Sequence, residues 1–178
     1  MIRRGALLAL AGMVLVGCAT APRPAADTPT LSGRLLVKVS ASATQPAQSH
    51  SGSFELSGDE RRGQMRLLGP LGTQVALARW DERGASLQDG QGSREFPDVP
   101  TMTGEALGEA VPLGALIRWM QGQPWAGAPH QPLASATPGF VQLGWSVDLG
   151  RWADEALVEA TRVDPPGVSV RAKLDRQP

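Results

Sequence analysis

The only thiol in the chain, Cys18, closes the tetrapeptide Leu15-Val16-Gly17-Cys18. Upstream of it, Arg3 and Arg4 precede an uncharged run from Gly5 to Gly17. Basic residues, a short apolar stretch and a small residue at the cut make a secretory signal. The run is too short to cross a bilayer, which takes about 20 apolar residues. A bacterial lipobox sets an aliphatic and two small residues before a cysteine whose thiol is lipidated and which becomes the new N-terminus. Leu15, Val16 and Gly17 meet that pattern, so Cys18 is the expected lipidation site. Each buried methylene adds about 0.8 kcal/mol of membrane affinity, and two or more chains hold firmly. Ala19 stands where many Gram-negative lipoproteins carry an aspartate that retains them at the inner membrane. The expected location is therefore the outer membrane, lipid-anchored, with the domain facing the periplasm.

No second reactive centre stands out. His50 and His130 each fall in a polar or proline-rich stretch without neighbouring acids. A Ser-His-Asp site is spatial and leaves no fixed spacing, but no G-x-S-x-G marks a serine. No paired Cys or His has metal-ligand spacing, and the glycines form no phosphate loop. The expectation is a protein that is not an enzyme, with no metal and no cofactor beyond the covalent lipid on Cys18. The charges balance at 17 basic and 17 acidic residues. A nucleic-acid partner, which needs a clustered basic surface, is not expected. With Cys18 lipidated no disulfide can form, so stability must come from a core. That core is mostly aliphatic: Tyr is absent and Phe numbers 3, against 5 Trp.

The domain organisation follows: 1–17 signal peptide, 18–31 lipidated N-terminus and tether, 32–178 a single domain. The tether carries Pro22, Pro24 and Pro29, which oppose helix. From Ser32 the period is two: Leu35, Val37 and Val39 alternate with Arg34, Leu36 and Lys38, a strand with one dry face. Ser40–Ser51 predicts a loop, Gly52–Leu56 a second strand, Gln64–Leu68 a third and Thr73–Trp80 a fourth. Gly69-Pro70-Leu71-Gly72 is the turn between the last two. Weak strands are expected at Ala85–Gln88 and Ser93–Phe96.

Thr103 is the expected N-cap of a short helix reaching Ala110. Pro112 then opens a second helix at its first position, where a missing N–H costs nothing. Leu113, Leu116, Ile117 and Met120 fall on one stripe with Trp119 off it, and Gly122 is the stop. Val141, Leu143, Trp145 and Val147 alternate with polar residues or glycine and predict one strand. Ala156–Val163 is another, with Leu157 and Val163 on its apolar face, and Val168–Leu174 the last. Many short strands with one helical insertion give a β-rich α+β fold, an antiparallel sheet with helices on one side. Each dry strand face needs a cover or a ligand.

The order of motifs resembles the LolB family of outer-membrane lipoprotein receptors. The resemblance is carried by Gly33-Arg34-Leu35-Leu36-Val37, Ser51-Gly52-Ser53-Phe54 and Gly69-Pro70-Leu71-Gly72-Thr73. It continues through Val111-Pro112-Leu113-Gly114-Ala115-Leu116-Ile117-Arg118-Trp119-Met120-Gln121-Gly122 with Pro124, and closes on Pro166-Gly167-Val168-Ser169-Val170-Arg171. Three features depart from the family pattern: the short proline-rich stretch before Gly33, Glu55-Leu56 after Phe54, and the ending Asp175-Arg176-Gln177-Pro178.

The resemblance implies an incomplete antiparallel β-barrel, a curved sheet with a helical plug over an apolar cavity. It implies a monomer that accepts lipoproteins from the periplasmic carrier LolA and inserts them into the outer membrane. The cargo's acyl chains would be transient ligands, and cargo lipoproteins, LolA and outer-membrane lipid the partners. Pro70, Leu71 and Gly72 become a membrane-insertion loop, although a tight turn with Leu71 folded back on the core fits the same residues. Candidate acyl-cavity or core residues are Leu35, Val37, Phe54, Leu67, Val75, Leu113, Leu116, Ile117, Trp119, Met120 and Trp145. The alternative is another lipid-binding or envelope-assembly lipoprotein of the same curved-sheet fold.

Overall fold

The computed structural model describes residues 31–176. The signal segment, Cys18 and the tether up to Thr30 lie outside the described residues. Among the described residues eleven strands form one antiparallel sheet. In chain order they are β1 (Leu31–Val39), β2 (Gln48–Gly58), β3 (Gly63–Leu68), β4 (Gln74–Asp81), β5 (Gly84–Asp89), β6 (Gly92–Phe96), β7 (His130–Pro132), β8 (Gly139–Gln142), β9 (Trp145–Asp148), β10 (Leu157–Arg162) and β11 (Val168–Leu174). Helices α1 (Val99–Leu107) and α2 (Leu113–Met120) join β6 to β7, and α3 (Trp152–Glu155) precedes β10. The spatial order is β6-β5-β4-β3-β2-β1-β11-β10-β9-β8-β7. Strands β1 and β11 meet at the centre, while among the described residues β6 and β7 remain unpaired edges. This is the incomplete barrel.

Period-two patterning sets the register. Val37 faces Val170, which faces Ala160, which faces Val147, and all four are buried. A slip of one residue would turn that row to solvent and bring Lys38 and Arg171 inside. Helices α1 and α2 lie over this inner face, with Met102 of α1 and Leu116, Ile117, Trp119 and Met120 of α2 buried against it.

Several elements differ from expectation, each for a local reason. Strand β2 begins at Gln48, four residues before Gly52, because ladder pairing with β1 runs on to Val39 and Gln48. Polar Gln48–Ser51 hides that extension, and His50 lies in a strand. Helix α1 starts at Val99, capped by Asp98, whose carboxylate accepts from the Thr101 N–H at 2.7 Å. Thr103 is a buried mid-helix residue; its hydroxyl accepts from Val111 N at 3.0 Å and ties α1 to the approach to α2. Pro112 is the N-cap of α2 rather than its first residue. Gly122, at φ 73°, stands at the helix stop as expected.

The stretch Val141–Val147 is a hairpin rather than one strand. Leu143 (φ 54°) and Gly144 (φ 77°) form its two-residue turn. Both left-handed positions suit the primed turns that match strand twist. Crossing the turn shifts the phase, so Phe140, Gln142, Trp145 and Val147 are buried while Val141 and Leu143 are exposed. In β10 the inner face is Val158 and Ala160; Leu157 is buried on the opposite face and Val163 is exposed. His130 belongs to the short edge strand β7, its ring 5.9 Å from that of Phe140.

Candidate functional site

The barrel is packed at one end and hollow at the other. At the packed end, Trp119 stacks obliquely on Trp145 at 5.9 Å and edge-on to Phe140 at 6.5 Å. Gln142 sits among them with every polar valence used. Its Oε1 accepts from Trp119 Nε1 (2.8 Å) and Trp125 N (2.9 Å). Its Nε2 donates to the carbonyls of Trp125 (2.7 Å) and Ala128 (2.8 Å). A buried amide so satisfied costs little and fixes its neighbours in one arrangement.

At the hollow end, a cavity of about 640 Å³ lies between the sheet and the two helices. Its sheet wall includes Leu35 and Val37 of β1, Met65 and Leu67 of β3, Ala76 and Ala78 of β4, and Leu87 of β5. Its helical wall includes Met102, Ala106 and Leu107 of α1 with Leu113 and Leu116 of α2. The volume falls in the ~300–1,000 Å³ range of small-molecule sites. The reason for the space is side-chain size. Aromatic rings fill the packed end, whereas aliphatic side chains, three alanines and two adaptable methionines among them, face the cavity and no Phe or Trp lines it.

Of the residues singled out from sequence, Leu35, Val37, Leu67, Val75, Leu113 and Leu116 surround this cavity. Phe54, Ile117, Trp119, Met120 and Trp145 do not line it and are buried in the core. Trp119, off the apolar stripe by spacing, is 0% exposed because its indole N–H finds Gln142. Val75 is 52% exposed and stands at the rim.

The rim is polar. Ser49, His50 and Ser51 of β2, with Asp89, Gln91, Arg94 and Glu105, contribute to it. Arg94 on β6 reaches Asp89 of β5 at 2.6 Å and also pairs with Glu105 of α1, so its guanidinium pins the helix to the sheet beside the cavity. Neither this cluster nor Gln142 was found by sequence reading. Pairing of Leu87 with Arg94 across the β5–β6 hairpin, which turns Arg94 inward, is the signal that spacing around Asp89-Gly90 held. Among the described residues no group of three or more His, Cys, Asp or Glu side chains could hold a metal ion.

The turn between β3 and β4 is built to project. Gly69 N–H donates to Thr73 O at 2.9 Å and Gly72 N–H to Gly69 O at 3.0 Å. Gly72 takes φ 74°, and Pro70 stands where its fixed φ suits the turn. Those restraints keep Leu71 off the core, and it is 91% exposed. The stem of this hairpin is cavity wall: Leu67, Val75 and Ala76 lie within a few residues of the tip.

Comparison with known proteins points to one family. The family described as Outer membrane lipoprotein LolB matches residues 31–174. A relative named Outer-membrane lipoprotein LolB from Thiobacillus denitrificans is 32% identical, covering 98% of this chain and 97% of its own. Proteins of the same name from Bordetella petrii and Chromobacterium violaceum are 31% and 32% identical, covering 91% and 86% of this chain and 86% of each of theirs.

Proposed function

The chain belongs to the LolB family of outer-membrane lipoproteins, and from that premise we propose how it handles its cargo. The cavity takes the acyl chains of lipoproteins arriving on the periplasmic carrier LolA. The Leu71 turn then passes them into the outer membrane. The observation that carries this reading is that one hairpin serves both ends: the β3–β4 stem lines the cavity and its tip presents a 91% exposed leucine.

The energetics suit a step without nucleotide hydrolysis. Acyl chains move from one apolar environment to another, so almost no hydrophobic free energy changes at transfer. A small difference in affinity between states is enough to set the direction. Leu71 entering lipid gains about 1.5–3 kcal/mol, enough to hold the tip at the bilayer. The lipid on Cys18 keeps the domain within reach, since residues 19–30 fully extended span at most ~40 Å.

In this scheme Leu35, Val37, Leu67, Leu113 and Leu116 contact acyl chain. Phe54, Ile117, Trp119, Met120 and Trp145 hold the wall without touching cargo. The test is transfer: carrier loaded with labelled lipoprotein is mixed with the purified mature chain, and vesicles are then added. Label should move first to this chain and then to the vesicles. Cargo that stays on the carrier would sink the reading, as would depletion of the protein in cells without build-up of carrier-bound lipoprotein.

A further inference from the structure

We propose that the outer face of the sheet holds a site for anionic phospholipid headgroups, built on Arg34 and Lys173 beside the Leu71 turn. This site rests on the reading of Leu71 as a membrane-contacting tip and adds what stands behind it. Antiparallel register sets Arg34 of β1 directly opposite Lys173 of β11. The same cross-strand row continues to Leu157 on one side, and to Ser53 and then Leu68 on the other.

Like charges directly opposite one another destabilise a sheet. Among the described residues neither cation has a carboxylate within ion-pair distance, and the nearby acids have other partners, Asp175 accepting from the Ser32 hydroxyl at 2.9 Å. Glu159 pairs with Arg151 at 2.9 Å and Arg171 at 3.4 Å, Glu155 with Arg151 at 3.7 Å, and Glu55 with Arg66 at 3.0 Å. Backbone pairing thus holds two uncompensated positive charges side by side. Together with Arg171 and the carboxylate of Glu155 they line a groove of about 740 Å³, three cations against one acid, that Leu68, Gly69 and Pro70 bound on the side of the turn.

The surroundings select the occupant. Leu157 and Leu68 end the charged row and Leu36 lies in the same groove. An amphiphile satisfies both features at once: its phosphate meets the cations while Leu71 enters the acyl layer. An acidic protein surface would neutralise the charges and leave a 91% exposed leucine in water. Long cationic side chains reach toward headgroups while their stems cover apolar surface.

The test follows backbone amides by NMR in the mature lipidated chain, held in non-ionic micelles. Phosphatidylglycerol should shift the amides of Arg34, Ser53 and Lys173 saturably. Arg34→Gln with Lys173→Gln should weaken that response about 25-fold, about fivefold for each cation near an anionic surface. The double variant should melt no lower than the parent, since a like-charge pair is removed. A nitroxide-bearing lipid reads the tip separately, by broadening Leu71. Leu71 broadened with no groove shifts overturns the headgroup site and leaves the tip reading in place. Groove shifts without broadening overturn the tip reading and, with it, the membrane-bound headgroup site that rests on it. Equal shifts from inorganic phosphate at matched concentration overturn the lipid assignment in favour of any small anion. Shifts from an acidic peptide but none from the lipid overturn it in favour of a protein partner.

Discussion

Trp119 donates its indole N–H to Gln142 Oε1 at 2.8 Å, joining α2 to the end of β8 inside a closed core. The same amide secures both the N–H and the carbonyl of Trp125. One half of the barrel is thereby solid, and the helices are fixed from that side. The other half can then stay hollow without collapsing onto the sheet, because α2 spans both: Trp119 belongs to the plug and Leu113 and Leu116 to the cavity wall.

Gln142→Leu should therefore be costly although it is more apolar. It strands the buried indole N–H of Trp119 and removes the partner of the part-buried Trp125 N–H and of the Trp125 and Ala128 carbonyls. A buried donor or acceptor left unpaired costs ~1–3 kcal/mol, and partial relaxation should hold the total to several kcal/mol. Urea unfolding should show the loss as a lower midpoint with little change in slope. A variant as stable as the parent would mean that water reaches these groups.

The Asp98 cap gives a pH dependence with a defined sign. Hydrogen bonds from Thr101 hold the Asp98 carboxyl below its ordinary value of 3.8. A carboxyl depressed in the folded state stabilises fully above its unfolded pKa, and that contribution fades as pH falls through the folded one. The start of α1 should therefore fray below about pH 4, near the ordinary carboxylate range. Hydrogen exchange at Thr101 and Met102 should quicken over that interval. Asp98→Asn caps without titrating, so this part of the profile should be flat in that variant.

How much was legible in the sequence depended on whether periodicity alone decided. Alternation at Leu35, Val37 and Val39, and again at Val168–Leu174, located the central strands. The Gly69–Thr73 motif located the projecting turn. Alternation failed at Val141–Val147, since a two-residue turn swaps faces and mimics continuity when Leu and Gly occupy it. It failed for the first ladder pairs of β2, where Gln48–Ser51 carries no apolar signal and only the partner strand holds it. Which stripe residues meet a cavity and which meet the core was beyond reach, because Leu116 and Ile117 are adjacent and equally buried. Only the distant aromatics of β8 and β9 separate them.

Filling the cavity should separate binding from folding. Ala76 on β4 lines the space and is only partly buried. Ala76→Phe places a ring where a chain would lie, with room already present to receive it. Saturable binding of an apolar fluorescent probe should weaken at least tenfold, about 1.4 kcal/mol, with the melting temperature nearly unchanged. Binding that survives in full would place the probe elsewhere.

Cys18→Ala removes the expected acyl acceptor. The variant should keep its signal peptide uncleaved or be cut at another position, and should lose the mass of the lipid. Mass measurement of the N-terminus decides between these and a third result. A wild-type protein that matures without lipid, at a residue other than Cys18, would falsify the lipobox.

Leu71→Glu tests the tip itself. At 91% exposure the side chain makes almost no packing contact, and the turn is held by Gly69, Gly72 and Thr73 rather than by Leu71. Such a substitution rarely changes stability by more than about 0.5 kcal/mol. Folding and apolar-probe binding should be those of the parent, because the cavity begins at Leu67 and Val75 in the stem. Acceptance of lipoprotein from the carrier should persist for the same reason. Delivery into vesicles should fall, since a carboxylate at the tip resists the apolar layer that the leucine enters. Leu71→Ile, similar in size and apolarity, should retain delivery. If the acidic and the aliphatic variant deliver equally well, the leucine is an ordinary turn residue and transfer proceeds by another surface.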